Sequence, residues 1–167
     1  MQTSACSSGP RARKNVGIMT GFPPPDFAGR ITGSFGRQPA MALIGAELTR
    51  VEHGTVEIEL PFDEKLTQQH GFLHAGVISA ALDTACGYAA YSVIDADASI
   101  LTIEFKVNLM SPGRGDRFLF RGEITKPGSN IIVADGRGYA ISDGPATLIA
   151  SMTSTMMVVR GREDITE

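Results

Sequence analysis

The stretch AGVISAALDTACGYAAY, Ala75 to Tyr91, decides the fold. It has no proline and an almost unbroken run of small and apolar side chains, which predicts a helix of about five turns, roughly 25 Å long. Val77, Ile78, Ala81, Leu82, Ala85, Ala89 and Ala90 spread round most of its circumference, so the helix is expected to be surrounded by protein. Its Ala and Gly content predicts close approach by neighbouring backbone. Asp83, in the middle, does not belong: aspartate is a poor helix-interior residue, and an unpartnered buried carboxylate is costly.

On the N-terminal side, AELTRVEHGTVEIELP alternates about His53-Gly54, with Val56, Ile58 and Leu60 facing one way and Thr55, Glu57 and Glu59 the other. This predicts a hairpin whose second strand covers a core with one face. Phe27 to Ala42 reads as a short helix or turn segment after Pro23, Pro24 and Pro25. On the C-terminal side come Ser99–Met110, Arg117–Lys126, Asn130–Ser142 and Ala146–Val159, separated by the turn signals SPGRGD, PGS and DGP. One helix between the second and third of six strands, with no later helices to cover a parallel sheet, argues for an α+β fold with an antiparallel sheet wrapped around the helix. Residues 27–160 are expected to form this one domain. Residues 1–26 read as a flexible N-terminal extension and 161–167 as a polar tail.

Bulk properties narrow the function. The chain has 167 residues, 43% hydrophobic and 20% charged, which suits one globular domain. A net charge of -3 gives no support to nucleic-acid binding. No run reaches the ~18 apolar residues needed to cross a bilayer, and no secretory h-region is visible, so a cytoplasmic protein without a membrane partner is expected. Cys6 and Cys86 do not form a disulfide framework, and a reducing compartment follows. His53, His70 and His74 lack matching acidic spacing, so neither a metal nor any other cofactor is expected.

Asp83 either lies on a wet face with Ser79 and Thr84, or caps a nearby backbone amide, or serves as a general base or nucleophile with an environment-tuned pKa. The preceding segment QQHGFLHAG, residues 68 to 76, favours the second reading. A helix starting at Ala75 leaves the amides of Ala75, Gly76 and Val77 without intrahelical acceptors, able to hold an anion or a developing oxyanion. No phosphate-loop consensus is present, so a carbonyl oxygen suits these amides better than a nucleotide phosphate. Ala75 and Asp83 are about 12 Å apart along one helix, too far to touch one reacting carbon. If they cooperate, they come from two chains with antiparallel helices, giving two sites in a symmetric dimer.

With these residues in view, QQHGFLHAGVISAALDTACGYAA and ILTIEFKVNLMSPGRGD resemble the hotdog-fold acyl-CoA thioesterases of the phenylacetic-acid-pathway type, in the 4-hydroxybenzoyl-CoA thioesterase superfamily. The likeness covers about residues 42 to 159. Gly71, His74, Gly76 and Asp83 fall at the family's motif positions, and Met110-Ser111-Pro112 closes a strand in the familiar way. Two positions depart: the family's Asn is Gln68, and the first Gly of its pair is Ala75. The resemblance implies a hotdog fold and hydrolysis of acyl-CoA thioesters, with short- to medium-chain or aromatic acyl groups, in a homodimer or homotetramer. It also implies that Thr102 reaches the site from the partner chain and helps orient water.

The chemistry expected on this basis uses the Ala75 amide, with that of Gly76, to polarise the thioester carbonyl. The partner's Asp83 then acts on water or attacks directly, with Gln68 and Thr102 orienting the water. A thiol of pKa near 8.5 needs little acid assistance to leave. His74 reads as a substrate-pocket residue whose ring ties the loop to backbone or sheet, with direct proton transfer as the alternative, and His70 as a pocket-lining or structural residue. Tyr88 and Tyr91 border an acyl tunnel or pack on the sheet. Arg114, Lys126 and Arg137 either meet the charged end of CoA or are solvated. His53 is expected in solvent, and Cys86 as a small core residue. The alternatives are an acyl-CoA-binding protein without catalysis and an enoyl-CoA hydratase-type enzyme.

Overall fold

The computed structural model describes residues 26–162. Residues 1–25 of the proposed N-terminal extension, with Cys6, and the last five residues of the proposed tail lie outside the described residues. Two short helices, α1 (Phe27–Phe35) and α2 (Pro39–Leu43), precede the hairpin β1 (Glu47–Glu52) and β2 (Thr55–Pro61). The long helix α3 spans Ala75–Tyr91, and β3 (Ala98–Leu109), β4 (Arg117–Lys126), β5 (Ile131–Ile141) and β6 (Thr147–Arg160) follow. Pro39 opens α2, where its missing N–H is harmless. Gly54, at φ 83°, makes the hairpin turn.

All pairings are antiparallel, and the strands lie in the order β1-β2-β4-β5-β6-β3 in one open, curved sheet. Alternation along each strand sends one set of side chains to α3. Phe118 and Phe120 of β4, Ile58 and Leu60 of β2, Ile132 of β5 and Met152 and Met156 of β6 are fully buried with Leu82 and Ala85 of α3. Met157, one position out of phase, points the other way and is 42% exposed. This is the hotdog architecture, one long helix held in a curled sheet.

Close backbone approach to α3 is found at Gly122. A Cβ there would lie 2.4 Å from the Ala85 carbonyl carbon and 2.5 Å from the Cys86 nitrogen, so β4 and α3 touch backbone to backbone. The helix is not, however, enclosed on every side. Gly76 and Ala80 are exposed, and Asp83, Thr84 and Gly87 are half-buried on the same face. The sheet of a single chain curls round only part of the circumference, and the residues on the remaining stripe are too small to signal that opening by their hydropathy.

Strand β3 is an edge, bonded only to β6. Leu101, Ile103, Phe105 and Leu109 along it, and Met110 just beyond, are between 42% and 56% exposed. A long edge strand with apolar side chains in solvent is unusual for a lone chain. His53, expected in solvent, is half-buried with its ring 6.0 Å from that of Phe27, because α1 folds over the hairpin turn.

Candidate active site

The segment between β2 and α3 folds back on itself before the helix starts. Gln68 N–H donates to the Phe72 carbonyl, Gly71 at φ 78° takes the bend, and His74 N–H donates to the Leu66 carbonyl at 2.9 Å. Leu73 N–H then donates to Gly113 O at 2.9 Å, stitching this segment to the turn after β3. The two together form the walls of a cleft of about 370 Å3. Phe72, Leu73, Ile78, Leu109, Met110 and Pro112 make it apolar, while Ala75, Gln68 and Ser111 bring polar atoms.

At the head of α3, His74 is extended (φ -64°, ψ 136°) and its Nδ1 accepts the Gly76 N–H at 2.9 Å. The Val77 and Ile78 amides both donate to the His74 carbonyl, at 3.0 and 3.1 Å. Of the three amides that the sequence leaves open, Gly76 and Val77 are therefore engaged. Ala75 N–H alone has no acceptor among the described residues. The Gly76 N–H, expected as a second hole donor, is here directed to the ring nitrogen of His74 two residues before it. His74 acts as a helix cap, a role usually filled by Ser, Thr, Asp or Asn, and so invisible to the usual capping pattern.

Asp83 sits two turns further along, half-buried on the open face of α3. Burial holds its carboxyl above the usual carboxylate range, and a hydrogen bond from Thr102 pulls more weakly the other way. That bond runs from Thr102 Oγ1 to Asp83 Oδ1 at 2.9 Å within one chain, so the two side chains form one unit. Cys86, one turn on, is buried with its thiol pushed up to about 12, chiefly by burial and then by the charges of Asp83 and Asp135. At that value it is an inert core residue.

The remaining predicted residues do not all converge here. Gln68 lines the cleft and accepts the His70 N–H through Oε1. His70 is exposed with its ring beside Gln69, outside the cleft lining. Tyr88 is buried at the junction of α1 and α3, sharing a 3.0 Å hydrogen bond with Ser34 and accepting from Gln38 Nε2 at 2.9 Å, and it does not line the cleft beside Ala75. Its neighbour Tyr91 stacks under the Arg30 guanidinium. Helices α1 and α2 bring those polar partners, which sequence spacing could not connect to position 88.

The three candidate cations also separate. Arg114 follows the cleft wall, whereas Lys126 is exposed at the end of β4. Arg137 lines a groove with Arg121, Asp135 and Tyr139 on the face of the sheet away from α3. The alternation of β5 puts Gly136 against Cys86 and Leu82, and hence Arg137 on the opposite side. Sequence reasoning missed the apolar lining from Phe72, Leu109 and Pro112, for which the only signal was the unusual bulk beside the bends FLH and MSPG. No group of three or more His, Cys, Asp or Glu among the described residues could hold a metal ion.

Comparison with known proteins fixes the family. The model of the thioesterase superfamily matches residues 70–147, which span the helix and its carboxylate. The Saccharolobus solfataricus protein SSO1253, which carries the name of an esterase, is 32% identical over 117 residues, covering 70% of this chain and 75% of its own. A solved thioesterase family protein from Silicibacter pomeroyi is 50% identical, with a TM-score of 0.79 over 81% of this chain and 99% of that one. The chain belongs to the thioesterase superfamily. Similarity extends to the medium/long-chain acyl-CoA thioesterase YigI of Escherichia coli, 27% identical over 72% of this chain and 85% of YigI. The PaaI protein of the Escherichia coli phenylacetic acid degradation operon is 14% identical, with a TM-score of 0.71 over 81% of this chain and 94% of its own, and shares the fold. As a superfamily member the protein has thioesterase-type hydrolysis as its general chemistry. No described helix is long and apolar enough to cross a membrane.

Proposed function

We propose that this protein hydrolyses acyl-CoA thioesters to the free acid and CoA, in a site shared between two subunits. The observation that carries the reading is the unengaged Ala75 N–H at the positive end of α3, within an apolar cleft. A thioester carbonyl oxygen is the matching group: it is a weak acceptor in the ground state and gains charge as the carbonyl carbon is attacked. Asp83 of the partner, ionised above its raised pKa, removes a proton from water or attacks the carbonyl itself, and Thr102 of that same partner chain holds the carboxylate. Gln68 has its oxygen committed to His70 N–H and offers its Nε2–H to the water or the substrate oxygen. CoA thiolate then departs without a dedicated acid, which suits a site with one carboxylate.

The dimer is part of this reading. One helix cannot supply both groups, since Ala75 and Asp83 are separated by about 12 Å of helix. The open stripe of α3 and the apolar edge of β3 are the surfaces through which a second copy would dock, antiparallel and two-fold related. Within the superfamily we assign the chain to the phenylacetic-acid-pathway type on the spacing of Gly71, His74, Gly76 and Asp83. The apolar lining suits aliphatic or aromatic acyl groups.

Thiol release from a panel of phenylacetyl-, benzoyl- and short- to medium-chain acyl-CoAs tests the reaction. We expect steady turnover with at least one class and its loss by a factor of about 10³ or more in Asp83→Asn, with the protein still folded. Absence of release from every thioester would leave the binding-only reading in its place. Full turnover in the folded Asn variant would remove Asp83 from the chemistry.

A further inference from the structure

On the face of the sheet away from α3, two like-charged pairs lie side by side. Arg121 of β4 is directly opposite Arg137 of β5, and one step along the same face Glu123 is opposite Asp135. Cβ atoms at such positions are about 5 Å apart across the strands, close enough for like charges to destabilise the pairing. Exchanging Arg137 with Asp135 would give two opposite-charge pairs from the same four residues. The sheet instead sorts them into a basic end and an acidic end, about 7 Å apart along the strands.

The basic end is short of acceptors. Arg137 is exposed and has neither an ion pair nor a side-chain hydrogen bond among the described residues. Asp135, two residues away on the same face, is engaged elsewhere: Thr125 Oγ1 donates to its Oδ2 at 2.8 Å and Thr153 Oγ1 to its Oδ1 at 2.9 Å. Arg121 reaches Glu57 at 3.6 Å and Glu123 at 3.5 Å without a hydrogen bond to either, and its Nε is buried with no partner. Two planar forks in register, both with donors to spare, suit an oxyanion that accepts from the pair. Arg121, Glu123, Asp135 and Arg137 line a groove of about 410 Å3 with Ile124 and Tyr139, a volume within the range of small-molecule sites. The groove shares no lining residue with the cleft beside Ala75.

We propose that this groove binds a small phosphate monoester with a hydroxyl-bearing body, the chemistry of a sugar phosphate. Its phosphate oxygens accept from Arg121 and Arg137, and hydroxyls of its body donate to Asp135 and Glu123. Each Asp135 oxygen accepts one threonine hydroxyl and keeps a lone pair for a ligand donor. A bare phosphate ion meets the same arginines but is repelled by the two carboxylates one step away, so the body is what makes both ends of the groove favourable. The site is separate from thioester hydrolysis and does not rest on it.

Calorimetric titration of the full chain with glucose 6-phosphate, ribose 5-phosphate, inorganic phosphate and glucose, in wild type, Arg137→Gln and Asp135→Asn, tests the site. We expect saturable binding of at least one sugar phosphate, weaker binding of inorganic phosphate and none of glucose. Arg137→Gln should weaken the sugar phosphate about tenfold, and wild-type affinity should fall as salt rises. Asp135→Asn should narrow the preference for the sugar phosphate over inorganic phosphate. Failure of both sugar phosphates to bind, or equal affinity in wild type and Arg137→Gln, would overturn the site. Inorganic phosphate binding as tightly as the sugar phosphates would overturn the hydroxyl-bearing body. A raised KM for acyl-CoA in Arg137→Gln would return this residue to the substrate path and overturn the separation. Light scattering reads the last alternative: an assembly that comes apart in Arg137→Gln would mean that a second copy covers the groove, which would overturn the ligand.

Discussion

At the scale of single residues, Asp83 is subject to two opposed effects, desolvation on the helix and the hydroxyl of Thr102, and desolvation is the larger. The folded protein therefore holds this proton more tightly than the unfolded chain, whose group titrates near the ordinary 3.8. Stability from the protonated group is full below that value and is lost as pH rises through the higher folded value. Asp83→Asn stays neutral and keeps an oxygen for Thr102, so it is expected to be more stable than wild type at pH 7. Urea denaturation of both should show the gap closing as pH falls toward 3.8; a constant gap would mean that Asp83 is not destabilised by its surroundings. That this carboxylate was out of place could be read from its apolar neighbours Ala81, Leu82 and Ala85. The capture of Gly76 N–H by His74 could not, because it depends on a side-chain rotamer and an extended backbone at one position.

At the scale of elements, the six strands and the long helix were legible because each has its own period, two along the strands and unbroken apolarity along Ala75–Tyr91. The predicted bounds of the last four strands differ from those observed by at most one residue at either end. Gly122 and Ala85 are 37 positions apart by residue number, and no local pattern announces that they touch. Gly122→Ala is expected to destabilise by about 3 kcal/mol, at the upper end of overpacking penalties, since the obstruction is backbone rather than a movable side chain. A midpoint shift in urea with an unchanged slope would measure it, and a neutral substitution would mean that α3 is free to move off β4.

At the scale of the whole molecule, the proposed sharing of the site between two chains predicts complementation. Ala75→Pro removes the amide hydrogen left unengaged at the start of α3 while respecting the helix, because proline fits the first helical position and His74 already has the extended backbone that precedes one. Alone it should lose about 10²–10³ in kcat, and Asp83→Asn alone should be dead. Randomly reassorted together, half the dimers are mixed, and each mixed dimer has one intact site from the unmutated Ala75 of one chain and the unmutated Asp83 of the other. Activity should return to about a quarter of wild type; no recovery after verified subunit exchange would put both groups of each site in one chain. The amino-acid order by itself determined the element types, the lone helix among strands and the misplaced carboxylate, since these follow from local period and polarity. Only tertiary packing decided which amide stays free, which face of α3 stays open and which arginine meets the cleft, because each depends on groups brought together from distant parts of the chain.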